Sequence, residues 1–93
     1  MENKLTVQDY MKLPYSYLIK PVTDEGGSYY YGCILEFKGC QSNGDTFQEA
    51  YDSLKEAMEG WIETKLDNGF KVPYPITIDA VHWIMSRYSD MKL

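Results

Sequence analysis

The sequence predicts an α+β fold: a three-stranded antiparallel sheet covered by one long amphipathic helix, with short helices at both ends and room for a short fourth strand. Three observations predict it. Aromatic and β-branched runs between Tyr15 and Asn43 are separated by tight glycine turns, as in an antiparallel meander. An apolar run of helical period opens at Phe47 behind a threonine cap. Pro14, Gly69, Pro73 and Pro75 fall at the ends of these segments, where chain breakers belong. Ninety-three residues, 44% of them hydrophobic and 25% charged, suit one small globular domain rather than a disordered chain.

The elements follow in order. A short helix is expected over residues 7–12, capped by Thr6 with Asp9 three positions on. Pro14 stops it, because the residue before a proline is pushed out of the helical region. Residues 15–22 read as a strand. Asp24-Glu25-Gly26-Gly27 turns the chain with glycines at positive φ. Residues 28–37 return, Lys38-Gly39 turns again, and residues 40–43 make a third, short strand.

The main helix is the strongest element. Thr46 and Glu49 form the S/T-x-x-E capping pattern. Phe47, Ala50, Tyr51, Leu54, Ala57, Met58, Trp61, Ile62 and Leu66 fall on one half of the helical wheel at 100° per residue. Gly69 sits at the C-terminal cap, and Pro73 and Pro75 prevent continuation. Beyond them Ile76-Thr77-Ile78 alternates like the fourth strand. Asp79 can cap a last helix carrying Ala80, Val81, Ile84, Met85 and Tyr88 on one side.

Composition narrows the function. A net charge of −5 disfavours approach to phosphate backbones, so direct nucleic-acid binding is not expected, whereas a basic protein partner is favoured. No stretch approaches the roughly 20 apolar residues of a membrane span. Met1-Glu2-Asn3-Lys4 has no apolar segment behind it, so a cytoplasmic protein without a secretion signal is expected. Cys33 and Cys40, seven residues apart, fit neither a CxxC pair nor a zinc half-site; they read as buried free thiols of a reducing compartment, with a disulfide between them as the alternative.

Candidate site residues are of two kinds. Glu49, Asp52, Glu56, Glu59, Glu63 and Asp67 recur at three- and four-residue steps, within about 80° of the wheel and opposite its apolar half. One reading is a solvated face; the other is contact with a basic partner. Tyr29 and Tyr31 share one face of their strand and, with Val81, Ile84, Met85 and Tyr88 of the tail, are candidates for a homodimer or larger symmetric interface. His82, the sole histidine, has no nucleophile or orienting partner at a suggestive spacing. Asp24, Glu25 and Glu36 lie in or beside turns, so no carboxylate cluster crosses the strands. No catalytic group, metal or cofactor is expected.

The order of several short motifs resembles the HicB-like antitoxin family. They are Gly26-Gly27, Tyr30-Tyr31, Gly39-Cys40, Ser42-Asn43-Gly44-Asp45-Thr46, Glu49-Ala50, Glu56-Ala57, Trp61-Ile62-Glu63, Gly69 and Val72-Pro73-Tyr74-Pro75. Tyr10-Met11-Lys12-Leu13-Pro14-Tyr15 matches one branch of the family. The similarity spans residues 10–75 of a single domain over 1–93, leaving 76–93 as a short helical tail. The resemblance implies a partial ribonuclease-H-like arrangement without nuclease carboxylates. It also implies a protein that binds and neutralises a small basic, RNA-cleaving HicA-type toxin by direct contact. The alternative is a stand-alone oligomeric binding or scaffold domain without a toxin. Eighteen residues follow Pro75, too few for the DNA-binding module many relatives carry, so autoregulatory DNA binding is not expected.

Overall fold

The computed structural model describes residues 4–76 together with His82 and Ser86. Helix α1 (Val7–Met11) is followed by strands β1 (Tyr17–Asp24), β2 (Gly27–Ile34) and β3 (Gln41–Gly44) and by helix α2 (Phe47–Asp67). The sheet runs β1-β2-β3 with both pairings antiparallel, and α2 packs on one face of it. The α+β class and the helix-covered meander are as expected.

Strand boundaries move, and hydrogen bonding accounts for the shifts. β1 begins at Tyr17 rather than residue 15, because Tyr15 leaves the sheet plane to enter the core. β2 ends at Ile34 rather than residue 37. The Phe37 amide bonds back to the Ile34 carbonyl and the Cys40 amide to the Phe37 carbonyl, so residues 35–39 form successive turns. β3 runs through Gly44, paired with Tyr30. In the first hairpin only Glu25 and Gly26 lie between the paired residues Asp24 and Gly27. The Asp24 carboxylate accepts the Gly26 amide at 2.8 Å, and Gly27, at φ 122°, takes the conformation that only glycine adopts without strain.

Helix ends are built largely as the sequence suggests. In α1 the Thr6 hydroxyl accepts the Asp9 amide and the Asp9 carboxylate accepts the Thr6 amide, closing a full capping box. In α2 only half of that box forms. Thr46 accepts the Glu49 amide at 3.1 Å, but the Glu49 carboxylate reaches the Asp45 amide at 2.9 Å instead of the cap's own. The far end is a Schellman close: Phe70 bonds to Lys65 and Gly69, at φ 74°, to Leu66.

The core is small and layered. Ala50, Leu54, Met58 and Ile62 of α2 are buried against Tyr15, Ile34, Phe37, Cys40 and Val72. Burial of each large side chain contributes about 1.5–3 kcal/mol before chain entropy is subtracted. Gly32 of β2 makes the close approach possible, since a Cβ there would meet Leu54 Cδ2 and Ser42 Oγ at 3.3 Å. α1 packs beside α2, joined by a Gln8–Glu59 hydrogen bond of 3.0 Å.

Ile76 is not in a strand, and Thr77 and Ile78 lie outside the described residues. Of the expected last helix, His82 and Ser86 are helical and exposed. Val81, Ile84, Met85 and Tyr88 lie outside the described residues.

Candidate partner-binding surface

The periodicity that buries one side of α2 places its carboxylates on the other. Glu49, Asp52, Glu56, Glu59, Glu63 and Asp67 are all exposed. Eighteen residue steps at 1.5 Å make a stripe about 27 Å long. Three of the six are steadied by neutral donors: the Asp45 amide bonds to Glu49, Gln48 Nε2 to Asp52 at 3.0 Å and Gln8 Nε2 to Glu59. The helix's two lysines lie off the stripe and turn to aromatic rings. Lys55 Nζ lies 5.6 Å from the Tyr51 ring, and Lys65 Nζ lies 5.0 Å from Trp61 and 5.2 Å from Phe70. The stripe therefore presents negative charge to solvent along its length.

The sheet divides its tyrosines by strand alternation. Gly32 faces Leu54 of α2, so Tyr30 and Ile34 share its side while Tyr29, Tyr31 and Cys33 point away. Tyr29 and Tyr31 are half-buried, and the Tyr31 hydroxyl donates to Gln41 Oε1 at 2.9 Å. These two predicted interface residues thus occupy one face, separate from the acidic stripe. Their proposed companions in the tail fall outside the described residues.

Phe47 corrects the apolar half-wheel. The helical period puts it on the buried side, but it is 53% exposed, with its ring edge-on to Tyr30 at 6.2 Å. The reason is positional: Phe47 belongs to the first turn of α2, where its ring meets the half-buried Tyr30 rather than the buried cluster. With Tyr17, Ile19, Gln48 and Tyr51 it walls an open, mostly apolar groove between α2 and β1. Sequence reasoning missed this groove because its walls come from two elements thirty residues apart.

Two part-buried polar arrangements close the opposite end. Glu36 accepts the Ser16 amide and hydroxyl and the Ile76 amide, each at 3.0 Å. The Tyr15 hydroxyl donates to the Pro73 carbonyl at 2.6 Å. Burial, with smaller contributions from Tyr10, Glu36 and Tyr74, pushes the Tyr15 hydroxyl up to about 12. The sequence marks Glu36 only as a residue beside a turn; in the fold its carboxylate ties the entry of β1 to Ile76, just beyond Pro75.

Both cysteines are free thiols; burial raises Cys33 and, with help from Cys33, pushes Cys40 up to about 11. Neither is poised as a nucleophile, which needs the thiolate. Among the described residues no group of three or more His, Cys, Asp or Glu side chains could hold a metal ion, and no helix is long and apolar enough to cross a membrane.

Comparison with known proteins places these features in a family. The model of the UPF0150-like family matches residues 20–73, from within β1 to the close after α2. That stretch lies inside the segment whose motifs resemble HicB-like antitoxins. The UPF0150 protein ssr1765 of Synechocystis is 37% identical over 59 residues, covering 63% of this chain and 73% of that protein. No solved structure matches the chain. With the family model spanning more than half its length, the chain belongs to the UPF0150-like family.

Proposed function

We propose that this protein is an antitoxin-like binding protein that neutralises a small basic, RNA-cleaving toxin of the HicA type by direct contact, without catalysis of its own. One observation carries the reading. Six carboxylates are exposed along a single face of α2, opposite the side chains that hold the fold together. Membership of a small family of HicB-like, antitoxin type supports it. A basic toxin approaching this stripe gains Coulomb attraction and faster association, and the neutralised stripe relieves its own like-charge repulsion. Such a protein works in the cytoplasm, where its toxin meets RNA. It needs no metal or cofactor.

The test is charge reversal. Glu56→Lys, Glu59→Lys and Glu63→Lys together should leave the fold intact, because all three are exposed. Affinity for a small basic HicA-type toxin should fall, mainly through slower association. Unchanged affinity in the folded variant would reduce the stripe to a solvated face.

A second reading is favoured by the other side of the molecule. Tyr29 and Tyr31 lie half-buried on the sheet face away from α2, a surface suited to self-association in a stand-alone oligomeric scaffold. Sedimentation at tens of micromolar separates the outcomes: a homodimer or larger assembly has at least twice the 10.8 kDa chain mass.

A further inference from the structure

We propose that the groove between the residues before α1, the last turn of α2 and the segment after it binds a nucleoside monophosphate, with the base against exposed aromatic rings and the phosphate held by Lys4 and Lys71. The inference is independent of the toxin reading and concerns a different surface from the acidic stripe.

The groove is preformed. Its volume is about 590 Å³, within the range of small-molecule sites, and it is lined by Lys4 and Leu5, by Tyr10 of α1, by Leu66 of α2 and by residues of the segment 69–74. That segment is pinned at both ends. The Schellman close ties Gly69 and Phe70 to α2, and the bond from Tyr15 to the Pro73 carbonyl holds the chain between Val72 and Tyr74. Val72 is buried and, with Leu5 and Leu66, gives the groove an apolar floor. A site held in this way costs little further ordering when a ligand enters.

Exposed aromatic surface is concentrated at its rim. Phe70 and Tyr74 are 59% and 65% exposed, two of the three large hydrophobic side chains left open among the described residues. Lys65 lies over one face of Phe70 but does not line the groove, so the groove meets the rest of that ring. Tyr74 lies 6.2 Å from Tyr10, and both rings border the same cleft. No strand borders it, so it offers an extended peptide no ladder of backbone groups. Rings around an apolar floor suit a compact aromatic body instead, on which a base can stack.

Charge selects the rest of the ligand. Among the described residues the lining holds two lysines, both exposed, and no carboxylate. Two ammonium groups match the roughly two negative charges of a phosphate monoester. The carbonyl end of α2 opposes an anion in principle, but the amides of Asn68, Gly69 and Phe70 take up the carbonyls of Thr64, Leu66 and Lys65. The net charge of −5 is spread over the whole chain and screened beyond about 10 Å, whereas these lysines touch the ligand. A single nucleotide lacks the row of phosphates that an acidic chain repels.

The test uses the full isotope-labelled chain, followed by NMR as adenosine monophosphate is added to about 10 mM, beyond the millimolar affinities of weak sites. The Tyr10, Leu66 and Phe70 amides should shift saturably. Adenosine alone and inorganic phosphate alone should each bind about tenfold more weakly or worse, because each meets half of the site. Lys71→Gln should weaken adenosine monophosphate about fivefold or more while leaving adenosine unchanged. Phe70→Leu and Tyr74→Ala, at exposed positions, should weaken both ligands. No saturable shift at these amides would overturn the proposal. So would inorganic phosphate binding as tightly as the nucleotide, which would leave the rings without a part. An end-blocked Glu-Phe-Glu peptide binding more tightly than the nucleotide would make the groove a protein-docking surface and overturn it too. Overhauser contacts in the free chain between the Phe70 ring and residues 1–3 or 77–93 would do the same, because the chain would then fill its own groove.

Discussion

Trp61 lies flat against Phe37, with ring centroids 4.2 Å apart and planes within 7° of parallel. Its indole N–H donates to the Lys38 carbonyl at 3.0 Å, and Lys65 covers its other face. Phe37 in turn meets Tyr15 at 4.6 Å, and Tyr15 is bonded to Pro73. A continuous aromatic layer thus fastens α2, the turns after β2, the entry to β1 and the closing segment.

Trp61→Ala should destabilise by about 2–4 kcal/mol, because it strips a half-buried ring from Phe37 and removes the bond to the Lys38 carbonyl. Trp61→Phe restores a ring but not the hydrogen bond, so it should cost roughly 1–2 kcal/mol. Urea denaturation of both variants checks the order. A Trp61→Ala variant as stable as the parent would mean that this layer does not hold the helix.

The sequence shows why α2 was legible and its surroundings were less so. Nine apolar positions and two caps over twenty residues specify a helix and its inward side by local pattern alone. That pattern does not say which turns of the helix the sheet and its turns cover, so Phe47 reads as buried although it is exposed. Alternation in residues 15–22 likewise reports a strand without reporting where pairing starts. The Glu36 contacts join residues 20 and 40 positions apart, and the Tyr15–Pro73 bond spans 58. No local spacing encodes such bonds. The acidic stripe was fully legible because it follows from the helix period; the groove required two elements to be brought together.

Glycines separate close packing from open space. A Cβ on Gly44 would lie 2.5 Å from the backbone nitrogen of Ala50, where α2 begins and cannot yield cheaply. Gly44→Ala should therefore destabilise by about 1–3 kcal/mol or more through overpacking. Gly60 lies inside α2 and has nothing within 4 Å of the same position. Gly60→Ala should raise stability by about 0.5–1 kcal/mol through helix propensity. Thermal melts of the two variants should move in opposite directions; movement in the same direction would put the sheet end and the helix in the wrong relation.

Alkaline pH should loosen the fold in two windows. The Tyr15 hydroxyl is held protonated in the folded state, up to about 12 against an ordinary value of 10. The unfolded chain therefore binds fewer protons between pH 10 and 12, and stability falls as pH rises through that range. Cys40, raised from 9 to about 11, acts with the same sign between pH 9 and 11. Tyr15→Phe should flatten the later fall while leaving the Cys40 part. Urea midpoints between pH 8 and 11.5 measure both. A midpoint that rises with pH in this range would contradict the burial of these groups.

The acidic stripe should make the free chain stabler in salt and its complex weaker. Asp52–Glu56, Glu59–Glu63 and Glu63–Asp67 are like-charge pairs at i,i+4, and Glu49–Asp52 and Glu56–Glu59 are two at i,i+3. Each costs a few tenths of a kcal/mol in water, and mobile ions screen it. Glu56→Gln with Glu63→Gln removes four of the five pairs and should stabilise the chain by about 1 kcal/mol while making its midpoint less sensitive to sodium chloride. If the stripe meets a basic partner, the same variant should bind it less tightly, and wild-type affinity should fall as salt rises. Stability and binding then move in opposite directions in one protein, the signature of charge kept for recognition at some cost to the fold. Parallel urea and binding titrations at about 20 mM and 500 mM salt, well above and below a Debye length of 10 Å, read both quantities. A variant that gains stability yet binds as tightly as the parent would leave the stripe without a role in contact.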